Sequence, residues 1–152
     1  MPPFIDCYVL VQGRSKGLVD KFLDHFLPHR RETASEYELP QYADSPRVVY
    51  KTADELLLAV EDQPAECHAI YWANTDPGRL RRAIVAPTND GATVYGLSID
   101  DEDDDGRAMA AVCLEKMLAL LGRTCPAFFA WEEVPPKSTE QFLVRKAELA
   151  SG

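Results

Sequence analysis

The strongest constraint on the fold is a set of three apolar segments in the middle of the chain, separated by two short turns. One turn is Asp-Pro-Gly at residues 76–78 and the other is Asn-Asp-Gly at residues 89–91. Turns of this composition join neighbouring strands, because glycine adopts the positive φ angles that tight hairpins need. Strands joined in this way run antiparallel. The sequence therefore predicts a three-strand antiparallel meander over residues 67–74, 80–86 and 92–99.

The flanking sequence predicts three further strands and four helices. Residues 4–12 are apolar on both alternating faces, which is typical of a strand in the middle of a sheet. Ser15, Thr52 and Ser138 each stand where a helix N-cap is expected, and Gly122 stands where a helix should end. The other predicted strands are residues 47–51 and 125–132, and the helices are residues 16–27, 53–61, 109–121 and 139–149.

The resulting order is β-α-β-α-β-β-β-α-β-α. It predicts a single-domain α/β (α+β) fold over residues 1–152, with a mixed sheet that contains the meander and with helices packed on the sheet. Residues 29–46 are polar and include two prolines, so they are expected to form a long surface connection.

Composition excludes several classes of partner. The net charge of −9 would repel a phosphate backbone and an anionic membrane surface, so neither nucleic acid nor membrane is an expected partner. No segment approaches the roughly 20 apolar residues that cross a bilayer. The start of the chain lacks the basic segment of a signal peptide, and the four widely spaced cysteines are typical of reduced thiols, so a cytoplasmic location is expected.

An uninterrupted acidic run dominates the charge distribution. Its six carboxylates account for most of the net charge, which would be −3 without them. A concentrated negative field attracts basic proteins and speeds their association, so the run is a candidate partner-binding surface. The alternative is a solvated face that serves only solubility and helix capping. The run consists of Asp100, Asp101, Glu102, Asp103, Asp104 and Asp105.

A second candidate is the turn over residues 13–17. Its Gly-x-Ser-x-Gly pattern lies between a strand and a helix, as in serine hydrolases, but it follows the first strand and lacks an evident acid and histidine pair. Arg14 and Lys16 flank Ser15, and amides near Gly17 would begin the helix. These four residues form a candidate anion-binding site.

Neither metal nor cofactor is expected. Asp101, Asp103 and Asp105 imitate the start of a calcium loop, but its twelfth position is Val112, where a glutamate is required. The sequence contains no Cys-x-x-Cys pair, and Pro28 separates His25 from His29.

No catalytic constellation is evident either. A cysteine nucleophile needs a histidine nearby in space, and Cys7 and Cys113 lie at positions expected in the core. Aromatic residues at 71–72 and 128–129 must occupy both faces of the sheet. Helices are expected to cover the second face, because four helices are predicted for one sheet; the alternative is that this face offers a pocket or a partner surface.

Two hypotheses follow. The first is a non-enzymatic binding protein that recognises another, basic protein, in the general manner of small acidic immunity or inhibitor proteins, which is an analogy of class alone. The second is a small-molecule or anion-binding domain, enzymatic or not, that uses the turn at residues 13–17.

Overall fold

A six-stranded sheet, in which every pairing is antiparallel, forms the centre of the molecule. The computed structural model describes residues 3–101 and 105–151. The strand order across the sheet is β2-β5-β6-β7-β1-β8, and β3 pairs with β4 in a separate two-stranded ribbon. The strands are β1 (Phe4–Val11), β2 (Arg30–Glu32), β3 (Tyr37–Leu39), β4 (Val48–Tyr50), β5 (Ile70–Asn74), β6 (Leu80–Pro87), β7 (Thr93–Asp100) and β8 (Ala127–Trp131). The helices are α1 (Lys16–Phe26), α2 (Ala53–Val60), α3 (Gly106–Leu121) and α4 (Thr139–Ser151).

The predicted meander is confirmed as β5-β6-β7. Strand β6 pairs antiparallel with both β5 and β7, and the two turns place Gly78 and Gly91 at φ angles of 124° and 87°. Only glycine adopts such angles without strain, which is why these turns could be read from the sequence. The α+β class is also confirmed. The sheet differs from the expectation of a mixed sheet, because each of its pairings is antiparallel.

Strand β1 lies in the middle of the sheet, as its two apolar faces predicted. It pairs with β7 on one side and with β8 on the other. Ile5, Cys7 and Val9 point to the first face, where they join the main core. Tyr8 and Leu10 point to the second face.

The helices cover the two faces unequally. Helices α1, α2 and α3 all contribute buried residues to the core on the first face. On the second face, the buried cluster contains Phe142 of α4, with Leu149 packed against it. Among the described helices, only α4 contributes a buried residue to the second face, so the helix cover expected there is partial.

The segment at residues 29–46 differs from the expected surface connection. It contains β2 and β3, and Tyr37 and Leu39 are almost fully buried. The alternation of Tyr37 and Leu39 around Glu38 is the pattern of a half-buried strand, but three residues are too few for a sequence pattern to be specific.

The predicted helix ends are confirmed. The side chains of Ser15, Thr52 and Ser138 accept hydrogen bonds from the backbone amides of Leu18, Glu55 and Gln141. Helix α3 ends at Gly122, whose amide donates to the carbonyl of Leu118. Caps of this kind satisfy backbone groups that have no partner within the helix.

Candidate functional site: a groove on the second face

The uncovered end of the second face forms a groove made of three adjoining cavities. The two larger cavities, of about 450 and 430 Å³, share Gln41, Tyr42, His68, Ala69 and Tyr71. The smaller cavity, of about 200 Å³, shares Tyr71, Val134 and Pro135 with the second. Because Tyr71 lines all three, they form one continuous depression, which we call the second-face groove.

Apolar side chains form the two walls of the groove. Tyr42 is 78% exposed on one wall, and Val134 is 72% exposed on the other. Exposed apolar groups that line a concave surface are typical of binding sites, whereas isolated ones are ordinary.

A row of polar residues crosses the floor at one end. Arg82, Ser98 and Asp6 are direct cross-strand neighbours on β6, β7 and β1. Arg82 Nε donates to Ser98 Oγ at 2.7 Å, and Ser98 Oγ donates to Asp6 Oδ1 at 2.5 Å. Arg82 Nη2 lies 3.8 Å from the same carboxylate oxygen. The three side chains therefore form a hydrogen-bonded chain in which the only carboxylate is fully buried.

Asp6 also holds the wall of the groove in place. Its Oδ2 accepts a hydrogen bond from the Glu133 amide at 2.8 Å, and the Tyr8 hydroxyl donates to the Glu133 carbonyl. The chain after β8 is thereby tied across the second face. Its course requires Glu132 to adopt a left-handed backbone, with φ of 48°.

Two aromatic rings enclose the guanidinium of Arg82. Its central carbon lies 5.6 Å from the ring centre of Phe4 and 5.2 Å from that of Tyr71. Cation–π contacts of this length hold the planar group in a defined orientation at the groove surface.

Burial is the largest influence on the acidity of Asp6. It raises the pKa of the Asp6 carboxyl above its usual value, while Ser98, Arg82 and the Glu133 amide oppose that shift. The folded protein therefore holds the Asp6 proton more tightly than the unfolded chain does. The part of the stability that depends on the Asp6 proton is greatest below the unfolded pKa near 3.8 and is lost as pH rises through the raised folded pKa.

The raised pKa of Asp6 predicts how the stability of an Asp6→Asn variant compares with that of the wild type as pH changes. The stability advantage of the wild type over Asp6→Asn should shrink as pH rises from about 3.5 upward, because only the wild type loses a proton at this position. Urea denaturation of both proteins at a series of pH values measures the difference. An advantage that grows with pH would show that Asp6 is more acidic when folded, contrary to its burial.

His68 lies at the other end of the groove. Its Nδ1 lies 2.9 Å from the Ala69 carbonyl, which only accepts hydrogen bonds, so Nδ1 carries the proton. Burial lowers the pKa of the His68 imidazole, which favours the neutral ring. No thiol or hydroxyl within 3–101 and 105–151 is hydrogen-bonded to this ring. The Nε2 atom of the neutral His68 ring is therefore a hydrogen-bond acceptor.

Tyr42 occupies a backbone conformation that a bulky residue rarely adopts. Its φ is 65°, and its amide donates to Glu38 Oε1 at 3.0 Å. A left-handed non-glycine residue costs on the order of 1–2 kcal/mol, and residues of this kind concentrate at functional sites. Both left-handed non-glycine residues of the described chain, Tyr42 and Glu132, belong to the rim of the groove.

Acidic groups outnumber basic ones along the groove. The acidic lining residues are Asp6, Glu36, Glu38, Glu66, Glu132 and Glu133, and the basic ones are Arg82 and Lys137. Arg47 pairs with Glu66 and Arg145 pairs with Glu133. Glu36 and Glu132 are exposed carboxylates at the rim.

The structure separates the members of the predicted acidic run. Asp101 is only 8% exposed, and its carboxylate accepts from the Gly106 amide at 3.1 Å and from Trp131 Nε1 at 2.8 Å. Asp100 ends β7, and the exposed Asp105 lies 3.7 Å from Arg79. Glu102, Asp103 and Asp104 lie outside the described residues. Asp101 thus has a structural position, and partner binding by the run stays a prediction.

Groups at the predicted anion site already have partners within the chain. Arg14 donates to the carbonyls of four residues, and Lys16 Nζ lies within 3.3 Å of carboxylates on Asp20 and Asp54. The Lys16 amide donates to Glu61 Oε1 at 2.7 Å, so an internal carboxylate occupies the start of α1. Ser15 caps the helix. The four carbonyl partners of Arg14 are those of Val60, Gln63, Pro64 and Thr88.

Metal-ligating side chains and thiols can be located among the described residues. Among the described residues, no three His, Cys, Asp or Glu side chains are grouped so that they could hold a metal ion. All four cysteines are free thiols, and burial raises the pKa of Cys7 and Cys113. No helix within the described ranges has the length and apolar character to span a membrane.

The sequence left a pocket or partner surface on the second face as an alternative to helix cover, but it did not locate the second-face groove. One signal was present, because Asp6 and Ser98 interrupt otherwise apolar central strands. A polar residue at such a position needs a partner on a neighbouring strand, but strand order is required to name it. Comparisons with known protein families, with curated proteins and with solved structures found no match.

Proposed function

We propose that this protein is a non-enzymatic binding protein that recognises another protein with a basic surface, and that the second-face groove is its docking site. The observation that carries the proposal is the pair of exposed apolar side chains, Tyr42 and Val134, on a groove whose charged lining residues are mostly acidic. Apolar and aromatic contacts supply affinity, while carboxylates at the rim select a cationic partner and speed its approach.

The size of the groove fits this proposal. Its two larger cavities, each near 440 Å³, could together receive several side chains of one protein segment. The net charge of −9 favours a basic protein over nucleic acid as the partner. Four free thiols support a reducing, cytoplasmic location.

Affinity capture with matched baits tests the proposal. The wild-type chain and a Tyr42→Asn variant are used as baits, because asparagine tolerates the left-handed backbone and leaves the turn intact. A basic protein should be retained by the wild type, and Tyr42→Asn should weaken its affinity at least tenfold, as expected when an aromatic anchor is removed. Quantitative mass spectrometry identifies the captured protein, and titration with the purified partner gives the change in affinity.

Val49→Ser is the control bait. Val49 is 42% exposed on β4 and does not line the groove, so its replacement should leave capture unchanged. Raising the ionic strength should slow association with the wild type, because screening weakens the attraction between exposed charges. If no protein distinguishes wild type from Tyr42→Asn, the groove is not the docking site.

A further inference from the structure

Alternate residues of β8 direct their backbone groups away from the rest of the sheet. Strand β8 is the last in the sheet, and it pairs only with β1 among the described strands. The Leu10 amide donates to the Pro126 carbonyl, and the Glu132 amide donates to the Phe4 carbonyl, both at 3.0 Å. Hydrogen-bonded pairs alternate along an antiparallel ladder, so residues 128 and 130 also direct their backbone groups toward β1. The amides and carbonyls of residues 127, 129 and 131 therefore point away from the sheet.

This edge lacks the features that usually prevent strand addition. Its five residues, Ala127–Trp131, contain no charged side chain and no proline. The opposite edge, β2, is only three residues long and consists of two arginines and a glutamate. Short, charged edges resist pairing with another chain, whereas uncharged edges offer a template for it. The two outer strands of the sheet thus differ in length and in side-chain charge, which govern whether another strand can be added.

Acidic residues concentrate at one end of this edge. Asp101 hydrogen-bonds to Trp131, and Glu132 follows directly in the chain. The described acidic residues here also include Asp100 and Asp105, while the described cations are Arg79, near Asp105, and Arg107, over the Trp131 ring. An incoming strand with lysine or arginine side chains would therefore meet a net opposite charge at this end.

The edge is also continuous with the second-face groove. Beyond Trp131 the chain turns at Glu132, and Val134 and Pro135 then form the groove wall. Glu132, directly after β8, lines the groove, so the edge and the groove adjoin at this residue.

We infer that β8 accepts an extended, basic segment of the protein partner as a seventh strand of the sheet. This inference rests on the proposed function, and it specifies how that partner binds. Residues 127, 129 and 131 supply backbone hydrogen bonds, in the manner of strand addition to an open sheet edge. Asp100, Asp101, Asp105 and Glu132 favour lysine or arginine in the added strand.

Amide hydrogen exchange by NMR tests this inference directly. The probe is an eight-residue peptide of alternating lysine and valine at low ionic strength. In the free protein the amides of residues 128 and 130 should exchange slowly, because they are bonded to β1, and those of residues 127, 129 and 131 should exchange fast. The peptide should slow amide exchange at residues 127, 129 and 131 at least tenfold, and it should leave the exchange rates at residues 128 and 130 unchanged.

A peptide of alternating glutamate and valine is the matched control, and it should give no protection. An Ala127→Pro variant should lose protection at residues 129 and 131 as well, because proline removes the first outward amide and crowds the incoming strand. Its circular dichroism and melting temperature show whether the variant folds. The wild-type peptide titration is decisive if the variant does not fold.

Three results would overturn the inference. The peptide could leave the outward amides unprotected, or both peptides could protect them equally. The outward amides could also be protected in the protein alone, increasingly with concentration, which would assign the edge to a second copy of this chain. Failure of strand addition is distinct from failure of the proposed function. If a basic protein is captured in a Tyr42-dependent manner but binds a folded Ala127→Pro variant equally well, the groove remains the docking site and strand addition to β8 is excluded.

Discussion

Replacing Asp6 by alanine should lower the free energy of unfolding by about 3 kcal/mol. The change removes the acceptor for the Ser98 hydroxyl and the Glu133 amide, and it leaves Arg82 without its carboxylate. Buried donors that lose their partner cost more than the hydrogen bond itself contributes, because they were removed from water on folding. Urea denaturation monitored by circular dichroism measures the loss.

Asp20→Ala is the control for the Asp6 variant. Asp20 forms an ion pair with Lys16 on the helix surface, and its side chain is 46% exposed. Surface pairs of this kind contribute below about 1 kcal/mol, so the two variants should differ clearly. If Asp6→Ala costs no more than Asp20→Ala, the Asp6 carboxylate is solvated and the polar row does not hold the groove wall.

Replacing Asp101 by alanine should lower the free energy of unfolding by about 2–3 kcal/mol. Its carboxylate satisfies both the Gly106 amide at the start of α3 and the Trp131 indole. A Cβ atom at Gly106 would lie 2.6 Å from Asp101 Oδ1, which shows how closely the helix start approaches this carboxylate. The same denaturation measurement applies, and the near-ultraviolet circular dichroism of Trp131 should change with it.

Asp105→Ala is the matched variant within the same acidic run. The Asp105 side chain is 83% exposed and lies 3.7 Å from Arg79. Its replacement should cost less than about 1 kcal/mol, since it removes only a screened surface interaction. Equal losses of unfolding free energy in Asp101→Ala and Asp105→Ala would contradict the role of Asp101 as a buried hydrogen-bond acceptor.

Because Asp101 is buried and hydrogen-bonded whereas Asp105 is exposed, the acidic run cannot be tested for partner binding by replacing all of its aspartates together. Neutralising every aspartate of the run would destabilise the fold through Asp101 and would confuse folding with binding. Replacing Asp103, Asp104 and Asp105 by asparagine while keeping Asp101 lowers the negative charge by three and keeps the hydrogen bonds of Asp101 to Gly106 and Trp131. An unchanged association rate for that variant would remove the acidic run from partner binding.

Local chemistry explains why the sequence predicted so much of the fold. The hairpin turns depend on Gly78 and Gly91, and the helix starts depend on Ser15, Thr52 and Ser138. Each of these residues acts on backbone groups a few positions away. Their effect does not depend on which strand lies beside which, so the meander and the helix ends were confirmed in the structure.

The second-face groove depends on contacts that no local pattern encodes. Asp6 and Ser98 are 92 residues apart in the chain, yet they are direct neighbours on β1 and β7. Asp6 and Glu133 are separated by 127 residues. Knowing that Asp6 interrupts an apolar strand indicates that it needs a partner, but the partner follows only from strand order.

The sequence by itself determined the α+β class, the three-strand meander, the helix ends and the negative charge, because these follow from residue type and from spacing within about ten positions. Tertiary structure alone decided that the sheet is antiparallel throughout, that α4 covers only one end of the second face, and that Asp101 is structural while Asp105 is exposed. The physical reason is that burial and pairing are properties of neighbours in space, and in this chain the decisive neighbours come from opposite ends of the sequence.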